Sequence, residues 1–204
     1  MHAAGGAYGS MALDFNNGYL AAASSTIYGD GVACGGCYRM RCKNDRLCRS
    51  QGTTVIVTDQ MTNSNKTDLV LSRKAYMALA KRGMGKHLLK NGAIDVEYKR
   101  YPCDFFNNKN LSLRVEDSSK NPSGFSDFSL KRNHSAVWDV DNVPNYVLIF
   151  EFGVIKESSD WVYIFAKNVI PTDWKPGMIY DTGVQITEIK WESCSAPKCP
   201  EENW

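Results

Sequence analysis

The amino-acid sequence predicts an all-β protein made of two domains. β-branched or strictly alternating segments recur along most of the chain, whereas helical patterns are confined to one short region. Between Tyr101 and Lys109 the sequence turns polar around Pro102 and Asn107-Asn108, which is typical of a domain boundary. We therefore predict a β-rich first domain that holds most of the cysteines, followed by a smaller β domain.

The strands are predicted from two kinds of pattern. Residues 53–58 are β-branched throughout, as expected for a buried strand. Apolar and charged residues alternate over 94–99, as in a strand with one face in water. Further strand-like segments are 38–42, 111–116, 146–154, 161–169 and 183–191.

Helices are predicted at two places only. Ser72 is a suitable N-cap for a helix that Gly83 would end, and a shorter helix is expected over residues 86–90. The strand-like segments outnumber these two helices, so the prediction is an all-β protein.

Four of the seven cysteines lie close together, in the stretch ACGGCYRMRCKNDRLC at residues 33–48. A structural zinc site usually has two Cys-x2-Cys pairs or a pair of histidines, but this stretch has a single such pair, Cys34 and Cys37. A thioredoxin-like centre needs its cysteines between a strand and a helix, whereas the residues after Cys37 alternate like a strand. Disulfides are the favoured interpretation, and the spacing leaves their pairing open. The predicted disulfide cysteines are Cys34, Cys37, Cys42, Cys48, Cys103, Cys194 and Cys199, and because seven is odd one sulfur lacks an intramolecular partner.

The composition excludes several classes of protein. The chain of 204 residues is 43% hydrophobic and 23% charged, which is ordinary for a globular protein. Its 24 Lys and Arg against 22 Asp and Glu give a net charge of +2, and no basic run is present, so we expect no nucleic-acid partner. The longest apolar runs are strand-sized and fall short of the roughly 18 residues of a membrane span, so we expect no membrane partner.

The cellular location is predicted from the cysteines and the glycosylation motifs. Residues 1–6 carry no secretory signal, so either the protein is cytosolic or the chain is not the full precursor. The cysteine density is more typical of a secreted domain. Three N-glycosylation sequons, at Asn65, Asn110 and Asn133, point the same way.

Several motifs together resemble one known family. They are AYGSMA at 7–12, YGDGVACGGCYRMRC at 28–42, VTD at 57–59, VEYKRYPC at 96–103 and GVQITEIK at 183–190. In these motifs, and over nearly the whole chain, the sequence resembles the plant expansin-like A group. The resemblance implies a double-psi β-barrel, similar to family-45 endoglucanases, followed by an immunoglobulin-like β-sandwich that binds carbohydrate.

The resemblance also implies how the chain is divided. The barrel would occupy residues 1–103, a linker 104–109, and the sandwich 110–204 with a cysteine-containing C-terminal extension. It further implies an extracellular location in the cell wall, where the barrel cysteines are disulfide-bonded. This agrees with the independent argument from cysteine density.

Two stretches depart from the family pattern. The family chain begins further upstream, with a signal peptide and a cysteine where Gly6 stands, and the odd number of thiols fits that difference. Between Pro122 and His134 the family runs longer by about two dozen residues, enough for two or three strands. We therefore expect a shortened second domain.

The possibility of catalysis rests on aspartates. Inverting hydrolysis of a glycosidic bond needs one protonated and one ionised carboxyl group, roughly 6.5 to 9.5 Å apart. By the resemblance, Asp59 matches an aspartate of the barrel groove, but Val70 stands where the family has its second acid. Asp68 lies two residues earlier, on the same face if the segment is a strand, so Asp59 and Asp68 are weak catalytic candidates. Because an Asp near a strand end commonly bonds local backbone, we expect that the protein is not an enzyme.

Polysaccharide binding needs flat aromatic side chains, on which the apolar faces of sugar rings stack, and polar neighbours for the hydroxyl groups. The second half is rich in Trp and Tyr, most of which we expect to fill the core. The predicted polysaccharide-binding residues are Tyr8, Tyr28, Tyr38 and Asp59 in the barrel groove, and Trp138 and Trp174 in the second domain.

The predicted function is that of a non-hydrolytic extracellular wall protein. It would bind cellulose, xyloglucan or a related glucan and modify wall extensibility without cutting the polymers. Two alternatives stay open: a weak glycoside hydrolase that uses Asp59 and Asp68, and a variant made non-functional by its shortened second domain. We predict no metal site and no cofactor, and we expect a monomer.

Overall fold

The computed structural model describes residues 8–61, 67–103, 109–115, 128–134, 136–140, 143, 146–155 and 161–185. These residues fall into two compact units. The first, called the barrel unit below, contains the described residues up to Cys103 together with those between 130 and 139; the second unit contains the others. Most of the regular structure is β-strand, which confirms the all-β class. The domain boundaries taken from the sequence stay a prediction.

A five-stranded sheet forms the barrel unit. Side by side, its strands are β4 (Leu69–Leu71), β1 (Leu20–Ala23), β3 (Thr53–Gln60), β2 (Cys37–Cys42) and β5 (Val96–Tyr101). β1 runs parallel to β3, and the other neighbouring strands are antiparallel. The strands predicted at 38–42, 53–58 and 94–99 are confirmed, with ends that differ by up to two residues.

Aliphatic side chains on one face of this sheet make the core. Val55 and Val57 of β3, Met40 of β2 and Ala21 of β1 are all buried. Full burial of a Val or Met side chain stabilises the fold by about 1.5–3 kcal/mol, so the β-branched run of β3 accounts for the position of that strand at the centre.

The sheet curls so that its two edges approach each other. Asp68 stands directly before the edge strand β4, and the hydroxyl of Tyr98 on the opposite edge strand β5 donates to its carboxylate at 3.4 Å. A flat sheet would hold these residues on opposite sides of three intervening strands. The contact therefore marks a sheet rolled towards a barrel.

Within the described residues three short α-helices accompany the sheet: α1 (Ser25–Tyr28), α2 (Arg73–Ala78) and α3 (Gly85–Lys90). A segment with 3-10 helical turns, Gly9–Gly18, precedes β1. Ser72 caps α2 as predicted, its hydroxyl accepting from the Ala75 amide at 3.2 Å. The predicted end of this helix at Gly83 is wrong, because the chain leaves the helix after Ala78 and Ala80 forms a β-bridge with Cys48. The helix predicted over 86–90 is confirmed.

Two disulfides join strands and loops of the barrel unit. Cys37 is bonded to Cys103, with Cα atoms 5.3 Å apart, and Cys42 is bonded to Cys48, with Cα atoms 5.9 Å apart. Disulfides are thus confirmed for four of the predicted cysteines, and three of the four clustered sulfurs are not available to zinc. The prediction of a disulfide at Cys34 is wrong, since this thiol accepts hydrogen bonds from tyrosine hydroxyls instead. Cys194 and Cys199 lie outside the described residues.

The remaining strands form two-stranded ladders. In the second unit β6 (Ser112–Arg114) pairs with β11 (Ile179–Asp181), and β9 (Glu151–Ile155) pairs with β10 (Trp161–Phe165). β7 (Lys131–His134) and β8 (Val137–Asp139) form a hairpin.

One predicted strand of the second unit, over 183–191, lies mostly outside the described residues. The described part of the strand expected over 183–191 is not a strand, because the Gly183 amide donates to the Asp181 carboxylate and the chain turns there with φ +69°. Among the described residues, β11 ends just before that turn.

Within the described ranges, no helix is long and apolar enough to cross a membrane.

Candidate functional site

The first candidate site is the end of the central strand β3, where a bulge changes the direction of Asp59. β1 pairs Ala21 with Val57 and Ala22 with Asp59, so the register skips Thr58. Without the bulge, Asp59 would follow Val55 and Val57 into the core; with it, Asp59 shares a row with Ala22. Asp59 is half-buried and lies one residue before the end of β3.

The row that begins at Asp59 continues to Val70. Ala22 of β1 pairs with Asp59 on one side and with Val70 of β4 on the other, so the three residues lie on one line across the sheet. With about 4.8 Å between neighbouring strands, the backbones of residues 59 and 70 are roughly 10 Å apart. An acid at position 70 would lie near the separation used for inverting hydrolysis, but the side chain there is a valine, 40% exposed.

Asp68, the other catalytic candidate, accepts hydrogen bonds from other residues of the barrel unit. Its backbone carbonyl accepts from the Ser24 amide at 2.8 Å, and its carboxylate accepts from the Tyr98 hydroxyl. Burial raises the pKa of Tyr98, and the Asp68 carboxylate raises it further. Asp68 therefore acts as the acceptor that holds the two sheet edges together.

Tyr8 and Tyr28 surround the Cys34 thiol. Both hydroxyls donate to its sulfur, and Asp59 and Arg132 are close enough to influence the thiol electrostatically. Burial raises the pKa of Cys34, the Asp59 carboxylate adds to the rise, and the two tyrosines and Arg132 oppose it. Burial also raises the pKa of the Tyr8 hydroxyl. The arrangement keeps the thiol protonated at neutral pH.

A glycine makes this cluster possible. Gly35 has φ +79°, and a Cβ there would lie 2.8 Å from the Tyr8 hydroxyl oxygen. The residue after Cys34 must therefore lack a side chain, because Tyr8 occupies that space.

The structure corrects two of the predicted sugar-binding aromatics. Tyr28 and Trp174 are each only 2% exposed, so neither ring can stack on a polymer. Tyr28 packs in the core of the barrel unit, and Trp174 is buried in the second unit. Burial of the large apolar surface of Trp174 is favourable, and it removes the ring from contact with a ligand.

The other predicted aromatics are more accessible. Tyr38 is half-buried and packs edge-on against Tyr98, with ring centroids 6.4 Å apart. Trp138 is exposed on β8, and the Arg132 guanidinium of β7 lies 4.8 Å from its ring centre. Tyr8 is half-buried against Phe15 at 5.0 Å. Of these, only Trp138 offers an open ring.

The sequence interpretation missed an exposed aromatic surface on β10. Trp161, Tyr163 and Phe165 alternate along this strand and are 56%, 59% and 62% exposed. Because residues two apart point to the same side of a strand, the three rings share one side of the ladder, called the aromatic face below. The opposite side carries the aliphatic side chains Val162 and Ile164, which are half-buried.

The two rings at the start of the aromatic face are nearly parallel. The rings of Trp161 and Tyr163 are inclined by only 14°, with centroids 6.1 Å apart. Gly153 of β9 pairs with Tyr163, and a Cβ on it would lie 3.0 and 3.1 Å from two carbons of the Trp161 ring. Because Gly153 has no side chain, the Trp161 ring can pack directly against the backbone of β9.

A signal for this face exists in the sequence but is ambiguous. In the segment WVYIF both sets of alternate residues are apolar, so alternation does not say which side is buried. The glycine in EFGVI becomes informative only when the register places it beneath the rings.

The sequons differ in their surroundings. The Asn110 amide donates to both carboxylate oxygens of Asp181, at 2.9 and 3.1 Å, and its oxygen accepts from Gln185. Asn133 is exposed on β7 and donates to Asp139. Asn65 lies outside the described residues. Glycosylation at all three stays a prediction.

Metal binding finds no support in the described ranges, which contain no group of three or more His, Cys, Asp or Glu side chains that could hold an ion.

Comparisons with known proteins agree with this architecture. A family model described as lytic transglycolase (DPBB_1) matches residues 20–98. The chain is 44% identical to Expansin-like A2 of Arabidopsis thaliana, over 97% of this chain and 83% of that protein. It is 42% identical to Expansin-like A1 of the same plant, with the same coverage, and 37% identical to Expansin-like A3 of Oryza sativa subsp. japonica, over 88% and 73%.

Two solved structures share the fold. The apo expansin of Clavibacter michiganensis superposes with a TM-score of 0.55 at 19% identity, covering 81% of each chain. A point mutant of that expansin, in complex with cellohexaose, gives 0.54 at 18%, covering 83% of each. Together with the family match, these likenesses confirm a double-psi barrel followed by a β domain.

Proposed function

The chain belongs to the plant expansin-like A family, and on that premise we propose that it binds cell-wall polysaccharide through the aromatic face without hydrolysing it. The substrate class is a β-glucan such as cellulose or xyloglucan. The single observation that carries the proposal is the exposed, nearly parallel pair of rings at Trp161 and Tyr163.

The geometry of the aromatic face suits a linear glucan. Sugar rings present apolar C–H surfaces, and parallel aromatic rings spaced along a strand can stack on successive sugars of one chain. Large apolar side chains left exposed side by side commonly mark a binding surface. The ligand named for the related bacterial expansin, cellohexaose, is a glucan of this kind.

The absence of hydrolysis is supported by the row of Asp59, Ala22 and Val70. Valine removes the proton donor at the position across the sheet from Asp59, and Asp68 is engaged with Tyr98. These contacts disfavour the alternative of a weak hydrolase that uses Asp59 and Asp68. In the proposed role, Asp59, Tyr8, Tyr38 and Trp138 remain candidate sugar contacts, and the protein loosens contacts between polymers by competing for them.

We also propose an extracellular, cell-wall location and a monomeric state. The two disulfides need an oxidising compartment, and a wall glucan is found only outside the cell.

Sedimentation with insoluble cellulose tests the proposal. The wild type should co-sediment, and Trp161→Ala combined with Tyr163→Ala should weaken retention roughly tenfold, because each ring contributes about 0.5–1.5 kcal/mol. Tyr146→Ala, which removes another exposed aromatic of the second unit, is the matched control and should bind like wild type.

The alternatives give different results in the same experiment. A non-functional variant would fail to bind in its wild-type form. A hydrolase would release reducing ends from soluble glucan, and Asp59→Asn would abolish that release. We expect neither the wild type nor Asp59→Asn to release reducing ends. Asp59→Asn should be retained on cellulose nearly as well as the wild type.

A further inference from the structure

One charged residue lies beside the rings of the aromatic face. In β9 and β10, whose sequences are EFGVI and WVYIF, Glu151 is the only residue with a formal charge. The register places Glu151 directly opposite Phe165, and both residues are exposed. Side chains of directly paired residues lie on the same side of a sheet, so the Glu151 carboxylate belongs to the surface that the three rings form.

Glu151 is close enough to the rings to act on a ligand that stacks there. Cβ atoms of directly opposite residues such as Glu151 and Phe165 are about 4.5–5.5 Å apart, and diagonal neighbours such as Glu151 and Tyr163 are separated by about 7–8 Å. At about 0.1 M salt, charges interact over roughly 10 Å before ions screen them. A charged group on a sugar bound over Phe165 or Tyr163 is therefore within reach of the carboxylate.

The charge of Glu151 does not serve the ladder itself. Within the described ranges, ion pairing is found between Arg41 and Glu97 of the barrel unit and not at Glu151. Glu is also one of the residues depleted in strands. Since an apolar side chain at this position would extend the aromatic face, the carboxylate limits what can bind there.

The second unit as a whole has the same sign of charge. Its residues, 106–129 and 140–203, contain 8 Lys and Arg against 13 Asp and Glu, a formal charge of −5, although the whole chain has a net charge of +2. The rest of the chain therefore carries +7. A negatively charged unit disfavours a polyanionic ligand, and Glu151 is the part of that charge that lies on the aromatic face.

We propose that Glu151 makes the aromatic face selective for uncharged glucans over polysaccharides whose sugars carry carboxylates. A neutral sugar stacks on the rings without electrostatic repulsion, whereas a carboxylate held about 5 Å from Glu151 in water binds about threefold more weakly. A repulsive group placed against the wrong ligand is a general means of specificity. The inference rests on the proposed function, because it concerns the same aromatic face.

Two soluble cellulose derivatives test the inference, because they share a β-glucan backbone and differ in charge. Hydroxyethyl cellulose is neutral, and carboxymethyl cellulose carries carboxylates. Titration calorimetry at about 0.1 M salt compares the whole wild-type chain with Glu151→Gln, which keeps the shape of the side chain and removes its charge. Glu151→Gln should bind carboxymethyl cellulose about threefold more tightly than wild type does and hydroxyethyl cellulose equally well.

Two control variants assign this gain to the aromatic face. Asp173→Asn removes one negative charge from an exposed loop of the same unit, outside the β9–β10 ladder, and should bind both polymers like wild type. The positively charged rest of the chain can itself attract carboxymethyl cellulose, so Glu151→Gln is also measured with Trp161, Tyr163 and Phe165 replaced by alanine. Without the rings the gain should disappear. It should also disappear in Glu151→Gln at about 1 M salt, where screening acts within about 3 Å.

Four outcomes would overturn the inference: no gain for carboxymethyl cellulose, an equal gain for both polymers, an equal gain in Asp173→Asn, or a gain that persists without the rings. Failure of the proposed function is distinguishable, because it appears as unchanged cellulose retention when Trp161 and Tyr163 are removed. If that retention falls but Glu151→Gln changes nothing, glucan binding stands and the role of Glu151 is wrong. The melting temperature of Glu151→Gln should equal that of wild type, because the residue is exposed.

Discussion

In the barrel unit, aliphatic side chains line the inside of a curled sheet and two disulfides join its parts. In the second unit, the largest side chains of β10 lie on the outside of a two-stranded ladder. In the barrel unit a valine stands across the sheet from Asp59, whereas the second unit presents exposed, nearly parallel rings at Trp161 and Tyr163. The comparison teaches that apolar burial and disulfides stabilise the barrel unit, while the proposed binding of a glucan depends on exposed rings of the second unit.

The largest effect that would sharpen this comparison is expected from the disulfides. Loss of Cys37–Cys103 through Cys37→Ala with Cys103→Ala frees a loop with a sequence separation of 66 residues. In the chain-entropy account this costs the barrel unit about 4 kcal/mol, a drop in melting temperature of roughly 20 °C. Calorimetry should show the change.

The second disulfide serves as the matched control. Cys42 and Cys48 are separated by only 6 residues, so the double alanine variant should lose about 2 kcal/mol. Equal losses from the two pairs would contradict the view that the long loop matters most.

A smaller effect is expected from the cap of α2. The Ser72 hydroxyl accepts from the Ala75 amide, accepts from the Leu20 amide at 3.3 Å and donates to the Gly18 carbonyl at 2.7 Å. Ser72→Ala should therefore destabilise the barrel unit by about 1–2 kcal/mol in urea denaturation. Ser50→Ala, at an exposed turn, should change stability by less than about 0.5 kcal/mol, and a similar loss in both would refute the capping role.

The smallest effect concerns alkaline pH. Because burial raises the pKa of Cys34 and of Tyr8, the folded barrel holds these protons more tightly than the unfolded chain does. The resulting stabilisation is fully present below the ordinary pKa of a thiol and is lost as the pH rises above it. The melting temperature of the barrel unit should fall above about pH 8.5, and less so in Cys34→Ser. Identical alkaline slopes in the two proteins would rule out a contribution from the thiol.

Local patterns were sufficient to predict the main elements of the barrel unit. The β-branched run of 53–58 and the cap at Ser72 depend on short-range preferences, and both are confirmed. Tyr28 and Trp174 depend on packing that no local pattern records, and both proved to be buried. The direction of Asp59 follows from a one-residue bulge, which alternation alone cannot reveal.

The aromatic face used in the proposed function depends on strand register. Gly153 lies beneath Trp161 only because β9 and β10 pair as they do. The sequence shows that these residues are present, but it does not show which residues of the neighbouring strand they contact. Cys34 is similar, since its hydrogen bonds to Tyr8 and Tyr28 are long-range contacts that its spacing to other cysteines does not report.

The measurement that tests the central claim most directly is cellulose retention of Gly153→Val. This substitution keeps every aromatic ring, suits a β-strand, and places a side chain where the Trp161 ring lies, at 3.0 Å from its Cβ position. If the aromatic face binds the glucan, the new side chain of Gly153→Val should displace the Trp161 ring, and retention on cellulose should fall several-fold. The melting temperature of the barrel unit should not change. Retention equal to wild type in a folded Gly153→Val protein would contradict the account.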